Sequence, residues 1–242
     1  MFYSRLIVVI LNFFDYFQQK KIIELIKKKF AKPLVIFDVG AHHGETIKLF
    51  HRKLQMKKIY SFEPSPKNFE ILDKNISKFD KDKVEIFNFG FGDQNSKNFI
   101  NQTLESSSST INKFNEKSNY FKKKLKILNI KSDNSFYYQL PIIIKTLDDF
   151  IEKKQIEYID LLKIDTEGYE LNVLKGLSKN NKKIKLIYFE HHYDDMIIKN
   201  YKFKDIHKLL KSYGFIKIKK SKMLFRKSFE YIYENNKINF KY

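Results

Sequence analysis

Short apolar runs alternate with amphipathic segments along the first third of the chain. The run PLVIFDVG has the length of a buried strand, and the segment after it repeats apolar residues at helical spacing. The same order returns once more, and a third apolar run follows. The pattern predicts, in chain order, strand 33–40, helix 44–54, strand 58–64, helix 66–79 and strand 84–92. Such alternation is typical of a parallel sheet with crossover helices.

The pattern resumes near residue 140, with Thr146 as the predicted N-cap of the next helix. The predicted elements are a strand and a helix within 140–154, strand 158–165, a helix from 167 or 168 to 177, strand 183–192 and helix 202–215. Two short strands within 216–227 and 229–235 predict an antiparallel end of the sheet. The predicted fold class is therefore α/β, a doubly wound and mostly parallel sheet with an antiparallel C-terminal strand.

Two stretches depart from this alternation. From about residue 93 to residue 139 the chain is polar and rich in Ser and Asn, which predicts a partly ordered insertion, a lid or a substrate loop, in a single domain of residues 31–242. Residues 1–30 form an N-terminal extension, and residues 6–30 predict an amphipathic helix. Its apolar run, residues 6–17, is shorter than the roughly 20 residues of a spanning helix. We expect this helix to pack on the domain, with peripheral contact to a membrane interface as the alternative.

Composition narrows the function classes. The net charge is +19, yet only three of the 47 basic residues are arginines, and the lysines are scattered along the chain. Specific nucleic-acid binding favours arginine's planar fork, so we expect no specific nucleic-acid partner and favour an anionic substrate or a membrane surface. A noncatalytic basic module that binds nucleic acid or membrane remains the alternative of another class. The absence of cysteine and of a signal-peptide cleavage site favours a cytoplasmic location. The sequence predicts no particular oligomeric state.

The first strand-to-helix turn, FDVGAHHGET, has the features of a nucleotide-cofactor site. Gly40 permits a sharp turn, Gly44 opens the helix, and Asp38 adds a carboxylate. Glu63 ends the second strand at the interval typical of an acid that binds ribose hydroxyls. The pattern D-x-G-x-x-x-G lacks the second glycine that dinucleotide folds place against pyrophosphate. An adenosyl cofactor without phosphates is therefore favoured, with a nicotinamide-dependent oxidoreductase as the alternative.

Several spaced motifs resemble the FkbM family of methyltransferases. They are VIFDVGAHHGET, IYSFEPSPKNFEILDKN, FGFGD, IKTLDDF, IDLLKIDTEGYELNVLKG and IYFEHH, and together they span about residues 34–192. The resemblance implies a Rossmann-like class I methyltransferase fold, S-adenosylmethionine as the methyl donor and, usually, a hydroxyl oxygen as the acceptor. His42 and His43 depart from the family, which more often has Asn followed by a small or variable residue.

The same resemblance assigns cofactor-binding residues. Asp38 and Gly40, with His42 and Gly44 in the same loop, would lie by the methionine part and Glu63 at the ribose. The residues implied for the adenine side are Asn88, Gly92 and Asp93.

The stretch IDLLKIDTEGYE places several charges at the end of a predicted buried strand next to the first. Lys163 and Asp165 share one side of it by period-two alternation, and Glu167 is predicted to begin the next helix. One interpretation is structural, an ion pair and a helix cap. The other is catalytic: the cluster orients the acceptor, with Asp165 nearest the reaction and Lys163 tuning it.

The following strand ends in FEHH, which brings further titratable groups beside that cluster. Glu190 and His191 or His192 would supply the general base, with Glu190 and His191 as the predicted pair. Asp165, Glu190 and a histidine are the residue types that bind a divalent metal, but no fixed ligand spacing supports such a site, so no metal ligand is predicted. The expected function is S-adenosylmethionine-dependent O-methylation of a small-molecule or glycan acceptor.

Overall fold

The computed structural model describes residues 19–130, 136–223 and 227–237. Its helices are α1 (residues 19–29), α2 (Glu45–Lys53), α3 (Pro66–Ile76), α4 (Asn119–Leu128), α5 (Leu147–Lys153), α6 (Glu170–Lys175) and α7 (Phe203–Ser212). Its strands are β1 (Leu34–Val39), β2 (Met56–Phe62), β3 (Val84–Phe87), β4 (Gly90–Phe91), β5 (Ser96–Thr103), β6 (Tyr137–Lys145), β7 (Ile159–Ile164), β8 (Ile184–His192), β9 (Phe215–Lys222) and β10 (Ser228–Asn235).

The main sheet has seven strands in the order β3-β2-β1-β7-β8-β10-β9. The first five run parallel, and β10 pairs antiparallel with both β8 and β9. The predicted fold class is therefore confirmed, including the antiparallel end. The order reverses between β1 and β7, so the carboxyl ends of these two strands flank the crevice where doubly wound sheets bind ligands.

Alternation along the central strands builds a hydrophobic layer on each face of this sheet. All six residues of β1 and all six of β7 are buried. Phe37 and Leu162 belong to the cluster on one face, whereas Ile36 and Leu161 belong to the cluster on the other. Near-continuous apolar runs of this kind are what a sheet covered on both sides requires.

A second sheet of three strands, β4-β6-β5, lies beside the main one. The predicted strand 84–92 is in fact two strands, because Gly90 and Phe91 leave the main sheet and pair with β6. The strand predicted after residue 140 is β6, which pairs antiparallel with β5. Residues 93–139 thus contain strand β5 and helix α4, two regular elements that the polar sequence pattern did not predict.

Two helix boundaries follow from local chemistry. The Thr146 side chain accepts a hydrogen bond from the backbone nitrogen of Asp149, so the predicted N-cap of α5 is confirmed. The prediction that a helix begins at Glu167 or Gly168 is wrong. Both residues have left-handed backbone, with φ of 49° and 91°, and α6 begins only at Glu170. Glu167 is therefore part of a turn rather than a helix cap.

The N-terminal extension is described from residue 19. Three isoleucines of α1 and Phe30 after it are buried in the same cluster as Ile36 of β1. This part packs on the domain, as one of the two interpretations of the amphipathic pattern predicted. The prediction for residues 6–18 lies outside the described residues. Among the residues that are described, no helix combines the length and the apolar character needed to cross a bilayer.

Candidate active site

A cavity of about 1150 Å³ opens at the carboxyl ends of β1, β2, β7 and β8. Loops of the main sheet form its floor, the segment after β5 forms one wall, and residues of α1, α2 and α4 form its rim. The residues predicted from the sequence that line it are Gly40, His42, Glu63, Lys163, Asp165, Glu167 and Glu190. The topological switch point therefore coincides with a large cavity.

Gly40 sits where two backbones approach too closely for any side chain. It has φ of 87°, and a β-carbon at this position would lie 1.9 Å from the carbonyl oxygen of Asp165. The nitrogens of Gly40 and Ala41 both donate to the carbonyl of Phe62, at 2.9 and 3.0 Å. The loop after β1 is thereby fixed against β2 and against the end of β7, with its backbone facing the cavity.

Glu63 is a buried carboxylate at the end of β2, with 4% of its surface exposed. It accepts hydrogen bonds from the backbone nitrogens of His42 at 2.9 Å and Ser65 at 3.0 Å. Burial raises its pKa to about 7, against the opposing effect of those hydrogen bonds. This carboxylate therefore ties the cofactor loop to β2 while it still lines the cavity.

At the edge of the cavity, His42 connects the loop after β1 with the segment after β5 and with helix α2. Its Nε2 lies 2.7 Å from Oγ of Ser106, and its Nδ1 lies 3.4 Å from Oε1 of Glu45. Burial lowers the His42 pKa, but the hydrogen bond and charge of Glu45 outweigh this effect and raise it above the ordinary value. The proximity of His42 in turn helps to lower the pKa of Glu45 to about 2, although burial opposes this change.

His42, His43 and Glu45 are also close enough together to be compared with a metal site. The two imidazole rings stack face to face, with centroids 3.7 Å apart and an interplanar angle of 19°. Stacked rings direct their nitrogen lone pairs in parallel rather than toward one ion, so this arrangement does not suit a metal. Asp165, Glu190 and a histidine do not come close enough together among the described residues to hold a metal ion.

Lys163 lies between two carboxylates at the switch point. Its Nζ is 3.3 Å from Oδ1 of Asp38 and 3.3 Å from Oδ2 of Asp165. Burial lowers the pKa of Lys163, yet the two neighbouring carboxylates outweigh burial and raise it. Asp38 is fully buried, and burial raises its pKa despite Lys163. Asp38 lies behind the cavity rather than in it, whereas Lys163 and Asp165 line it.

A second charged cluster surrounds His192 at the end of β8. Its Nε2 lies 3.3 Å from Oε2 of Glu167 and 3.5 Å from Oε1 of Glu190, and its Nδ1 lies 3.6 Å from Oδ2 of Asp194. Burial lowers the His192 pKa, but these carboxylates, Glu167 first, raise it to about 10. Burial raises the pKa of Glu167 to about 7, although His192 lowers it. A cationic imidazole thus faces a carboxyl group that titrates near neutrality.

His191 does not line the cavity, in contrast to the pair predicted from the sequence. It is 3% exposed, its Nδ1 lies 3.9 Å from Oε2 of Glu170, and its ring contacts Tyr201. Successive strand residues face opposite sides of a sheet, so Glu190 and His192 point into the cavity and His191 points into the layer on the other face. The histidine beside Glu190 at this site is therefore His192.

The residues assigned to the adenine side lie apart from the cavity lining. Asn88 donates to the carbonyls of Glu63 at 2.9 Å and Pro64 at 3.2 Å, and it borders a separate shallow groove. Gly92 packs against Ile144 and Tyr169, and Asp93 is exposed. Gly44, with φ of 88°, packs its backbone on α3 instead of lining the cavity.

Other residues line the cavity that sequence reasoning did not assign. Gly90 and Phe91 of β4 stand next to the cavity where the adenine-side residues were expected, and Tyr169 lies beyond the Glu167 turn. Tyr188 and Glu230 come from β8 and β10, and Ser106 to Thr110 come from the segment after β5. Alternation from Glu190 signals Tyr188 and His192, whereas the Glu230 position and the serine-rich segment depend on strand pairings distant in sequence.

The sequence of the chain matches a known protein family. Residues 38–217 match the family described as "Methyltransferase FkbM domain". A curated relative, "Methyltransferase 1" of Beauveria bassiana (strain ARSEF 2860), is 25% identical over 143 residues, which cover 59% of this chain and 57% of the relative. The match thus spans less than two thirds of that relative.

Two solved structures share the fold. The methyltransferase FkbM of Methylobacillus flagellatus KT superposes with a TM-score of 0.51 at 15% identity, covering 83% of this chain and 44% of the other. The TrmK protein of M. capricolum, solved with S-adenosylhomocysteine, superposes with a TM-score of 0.50 at 14% identity, covering 88% and 67%. At these identities the likeness concerns the architecture of the chain.

Proposed function

The chain belongs to the FkbM methyltransferase family, and from that premise we propose that it transfers the methyl group of S-adenosylmethionine to a hydroxyl oxygen of a sugar, a glycan precursor or a related metabolite. The observation that carries the proposal is the coincidence of the large cavity with the switch point between β1 and β7. Family membership favours this reaction over the nicotinamide-dependent and noncatalytic alternatives.

The cofactor side of the cavity suits an adenosyl group without phosphates. Gly40 and Ala41 present backbone to the cavity, and Glu63 supplies a carboxylate that accepts hydrogen bonds from hydroxyls. Gly90 and Phe91 contribute a small residue and an aromatic ring beside it. When bound, the cofactor supplies an electrophilic methyl group on a sulfonium. The residues of the chain then have to bind the acceptor, orient it and take its proton.

On the acceptor side of the cavity, one carboxyl group titrates at a pH that suits removal of the hydroxyl proton. As the hydroxyl oxygen forms its bond to the methyl carbon, the carbon–sulfur bond breaks toward sulfur and the hydroxyl proton must leave. His192, with a pKa of about 10, already holds a proton at neutral pH. Glu167, with a pKa of about 7, is poised to accept one. We therefore assign Glu167 as the general base and His192 as the cation that orients it, with Lys163 and Asp165 beside the reacting centre.

The charges around this centre favour a neutral acceptor group. Glu190 and Glu230 lie directly opposite each other on β8 and β10, and Asp194 follows on the same side. An anionic group would be repelled there despite the net charge of +19, because buried like charges interact strongly. Apart from Lys163, which lies between Asp38 and Asp165, the lysines and the arginine of the lining lie toward the rim, as Arg52, Lys53, Lys123 and Lys124. A polyol with any anionic or lipid part directed outward fits this distribution.

Cofactor binding and methyl transfer can be tested separately. In calorimetry, S-adenosylhomocysteine should bind the wild-type protein, Glu63→Gln should bind it much more weakly, and Glu85→Gln, a surface acid on β3, should bind it normally. Labelled methyl groups from S-adenosylmethionine should then appear in base-stable ethers when fractionated glycans, lipids and small metabolites are supplied. Binding of nicotinamide dinucleotides without a response to S-adenosylhomocysteine would overturn the proposal.

A further inference from the structure

The segment 104–112 follows β5 and forms one wall of the cavity. It is held by its own hydrogen bonds: Oγ of Ser109 donates to the carbonyl of Ser106 at 2.7 Å and accepts from the nitrogen of Thr103 at 3.1 Å. Thr110 exchanges backbone hydrogen bonds with Asn101 of β5, at 2.8 and 3.2 Å. The segment is therefore anchored to the second sheet, independently of the residues across the cavity.

From this anchor two side chains reach the turn that carries Glu167. The Thr110 hydroxyl, on a residue that is 1% exposed, donates to the carbonyl oxygen of Glu167 at 2.7 Å. The Asn112 amide donates to the carbonyl oxygen of Gly168 at 2.5 Å. Thr110 Oγ1 also accepts from the nitrogen of Asn112 at 3.1 Å, which fixes the hydroxyl so that its proton points at Glu167.

The turn needs such support because its backbone is unfavourable for a residue with a side chain. Glu167 has φ of 49°, in the left-handed region that L-residues seldom occupy unless neighbouring contacts hold them there. This conformation places the Glu167 carboxylate 3.3 Å from Nε2 of His192. Without the hydrogen bond to its carbonyl, Glu167 would relax toward an ordinary backbone conformation. Its carboxylate would then move away from His192.

We propose that Thr110 is a positioning residue for methyl transfer, with Asn112 as a second support. By holding the carbonyls of Glu167 and Gly168, the two side chains keep the carboxylate of Glu167 directed at His192 and at the acceptor hydroxyl. The inference rests on the proposed function, because it gives the turn a role only if Glu167 takes the acceptor's proton. The same segment touches the cofactor loop where Oγ of Ser106 meets Nε2 of His42 at 2.7 Å. The two ends of the cavity therefore share one wall.

The titration of His192 reports directly on this geometry. The charged groups that face its ring are Glu167 from the turn, Glu190 on its own strand and Asp194 after it. The charge of Glu170, at the start of α6, also raises the pKa of His192. Lys199 faces its backbone, with Nζ 2.5 Å from the His192 carbonyl. Displacement of Glu167 removes the largest of the attractive interactions and leaves the others in place. The midpoint should fall by about one pH unit or more, the effect of losing a close opposite charge.

The experiment follows the imidazole CH resonance of His192 by NMR from pH 5 to 11 in the full chain, assigned with His192→Gln. Thr110→Val keeps the shape of the side chain and removes the donor, so the midpoint should fall, whereas Thr110→Ser should restore it. Thr146→Val is the matched control: it removes a threonine hydroxyl that caps α5, and should lower the denaturation midpoint without moving the His192 titration.

A folded Thr110→Val protein with the wild-type His192 midpoint would overturn the inference. Should that variant fail to fold, Asn112→Ala is expected to move the His192 midpoint in the same direction by a smaller amount. An unchanged midpoint in Asn112→Ala would likewise overturn the inference. Glu167→Gln sets the largest shift to be expected. Calorimetry with S-adenosylhomocysteine on the same samples separates the proposed function from the role of Thr110. If the wild-type protein does not bind S-adenosylhomocysteine, the proposed function is contradicted, whereas the titration result still reports on the contact between Thr110 and Glu167.

Discussion

Gly40 and Asp165 meet at the switch point with no room between them: a β-carbon on Gly40 would lie 1.9 Å from the Asp165 carbonyl oxygen. The nitrogen of Asp165 in turn donates to the carbonyl of Val39 at 2.9 Å. The cofactor loop and the segment that carries the charged cluster are therefore one structural unit. A displacement of either strand end would disturb both sides of the cavity.

Substitution of Gly40 tests this relationship. Gly40→Ala should lower the free energy of unfolding by more than about 2 kcal/mol, because backbone strain at positive φ adds to a contact that cannot be relieved. It should also abolish binding of S-adenosylhomocysteine. Gly214→Ala is the control, since Gly214 has φ of 95° but its new β-carbon would meet only the flexible side chain of Lys237. Equal losses in the two variants, measured by chemical denaturation, would refute the special role of the close approach.

Much of the main sheet could be predicted because its signals are local. The runs that became β1 and β7 are mostly apolar and are buried at every position, and Gly40 and Gly214 stand at positions of positive φ. Strand β5 of the second sheet escaped prediction because its sequence, SKNFINQT, is mostly polar and because it is stabilised by pairing with β6, about 40 residues later. A polar strand held by a distant partner has no signature of its own.

The site divides in the same way. Gly40, Glu63 and Asp165 follow strand ends, so their position in the sequence predicted that they would lie at the crevice, and all three line the cavity. The sequence predicts His191 as the partner of Glu190, but period-two alternation from Glu190 favours His192, and His192 is the histidine that lines the cavity. The role of Thr110 could not be inferred, since its contact with Glu167 joins residues 57 positions apart across a loop.

The raised pKa of Glu63 predicts a pH dependence of cofactor binding. Its folded pKa is about 7, because burial disfavours the charged form, while ribose hydroxyls bind best to the ionised carboxylate. Affinity for S-adenosylhomocysteine should therefore fall below pH 7, by up to about tenfold per pH unit, and level off above it. Calorimetry between pH 5.5 and 8.5 measures the dependence, with proton release visible in buffers of different ionisation enthalpy. In Glu63→Gln the weak residual binding should lose this release, and a flat wild-type profile would contradict the assignment.

The Lys163 cluster predicts a large, pH-dependent loss of stability. Lys163→Met leaves Asp38, which is fully buried, without its partner at 3.3 Å. Removal of one member of a buried pair costs about 3–5 kcal/mol at neutral pH. The folded pKa of Asp38 is raised, and loss of Lys163 would raise it further, so the cost should shrink as pH falls and Asp38 becomes neutral.

Denaturant titrations at pH 5 and pH 8 measure that cost. Asp38→Asn in the Lys163→Met background should recover part of the stability, because it removes the unpaired charge. Lys29→Met is the matched control, since the Lys29–Glu234 pair at 2.7 Å is partly exposed and should contribute less than about 1 kcal/mol. A loss in Lys163→Met as small as that of the control would mean that the pairing of Lys163 with Asp38 and Asp165 has no structural role.

Substitutions of the two neighbouring histidines of β8 should differ in their effects on stability and on methyl transfer. His192 has a folded pKa of about 10 against an ordinary value of 6.5, so its contribution to stability is complete below pH 6.5 and is lost as pH rises through 10. His192→Gln should remove this alkaline sensitivity and reduce labelled methyl transfer strongly, because Glu167 loses the cation that orients it. His191→Gln removes a buried ring that contacts Tyr201 and should lower stability while methyl transfer by the folded protein remains. Both variants are compared by denaturation between pH 6 and 10.5 and by methyl-transfer assays. The prediction is contradicted if His191→Gln, rather than His192→Gln, is the variant that loses methyl transfer.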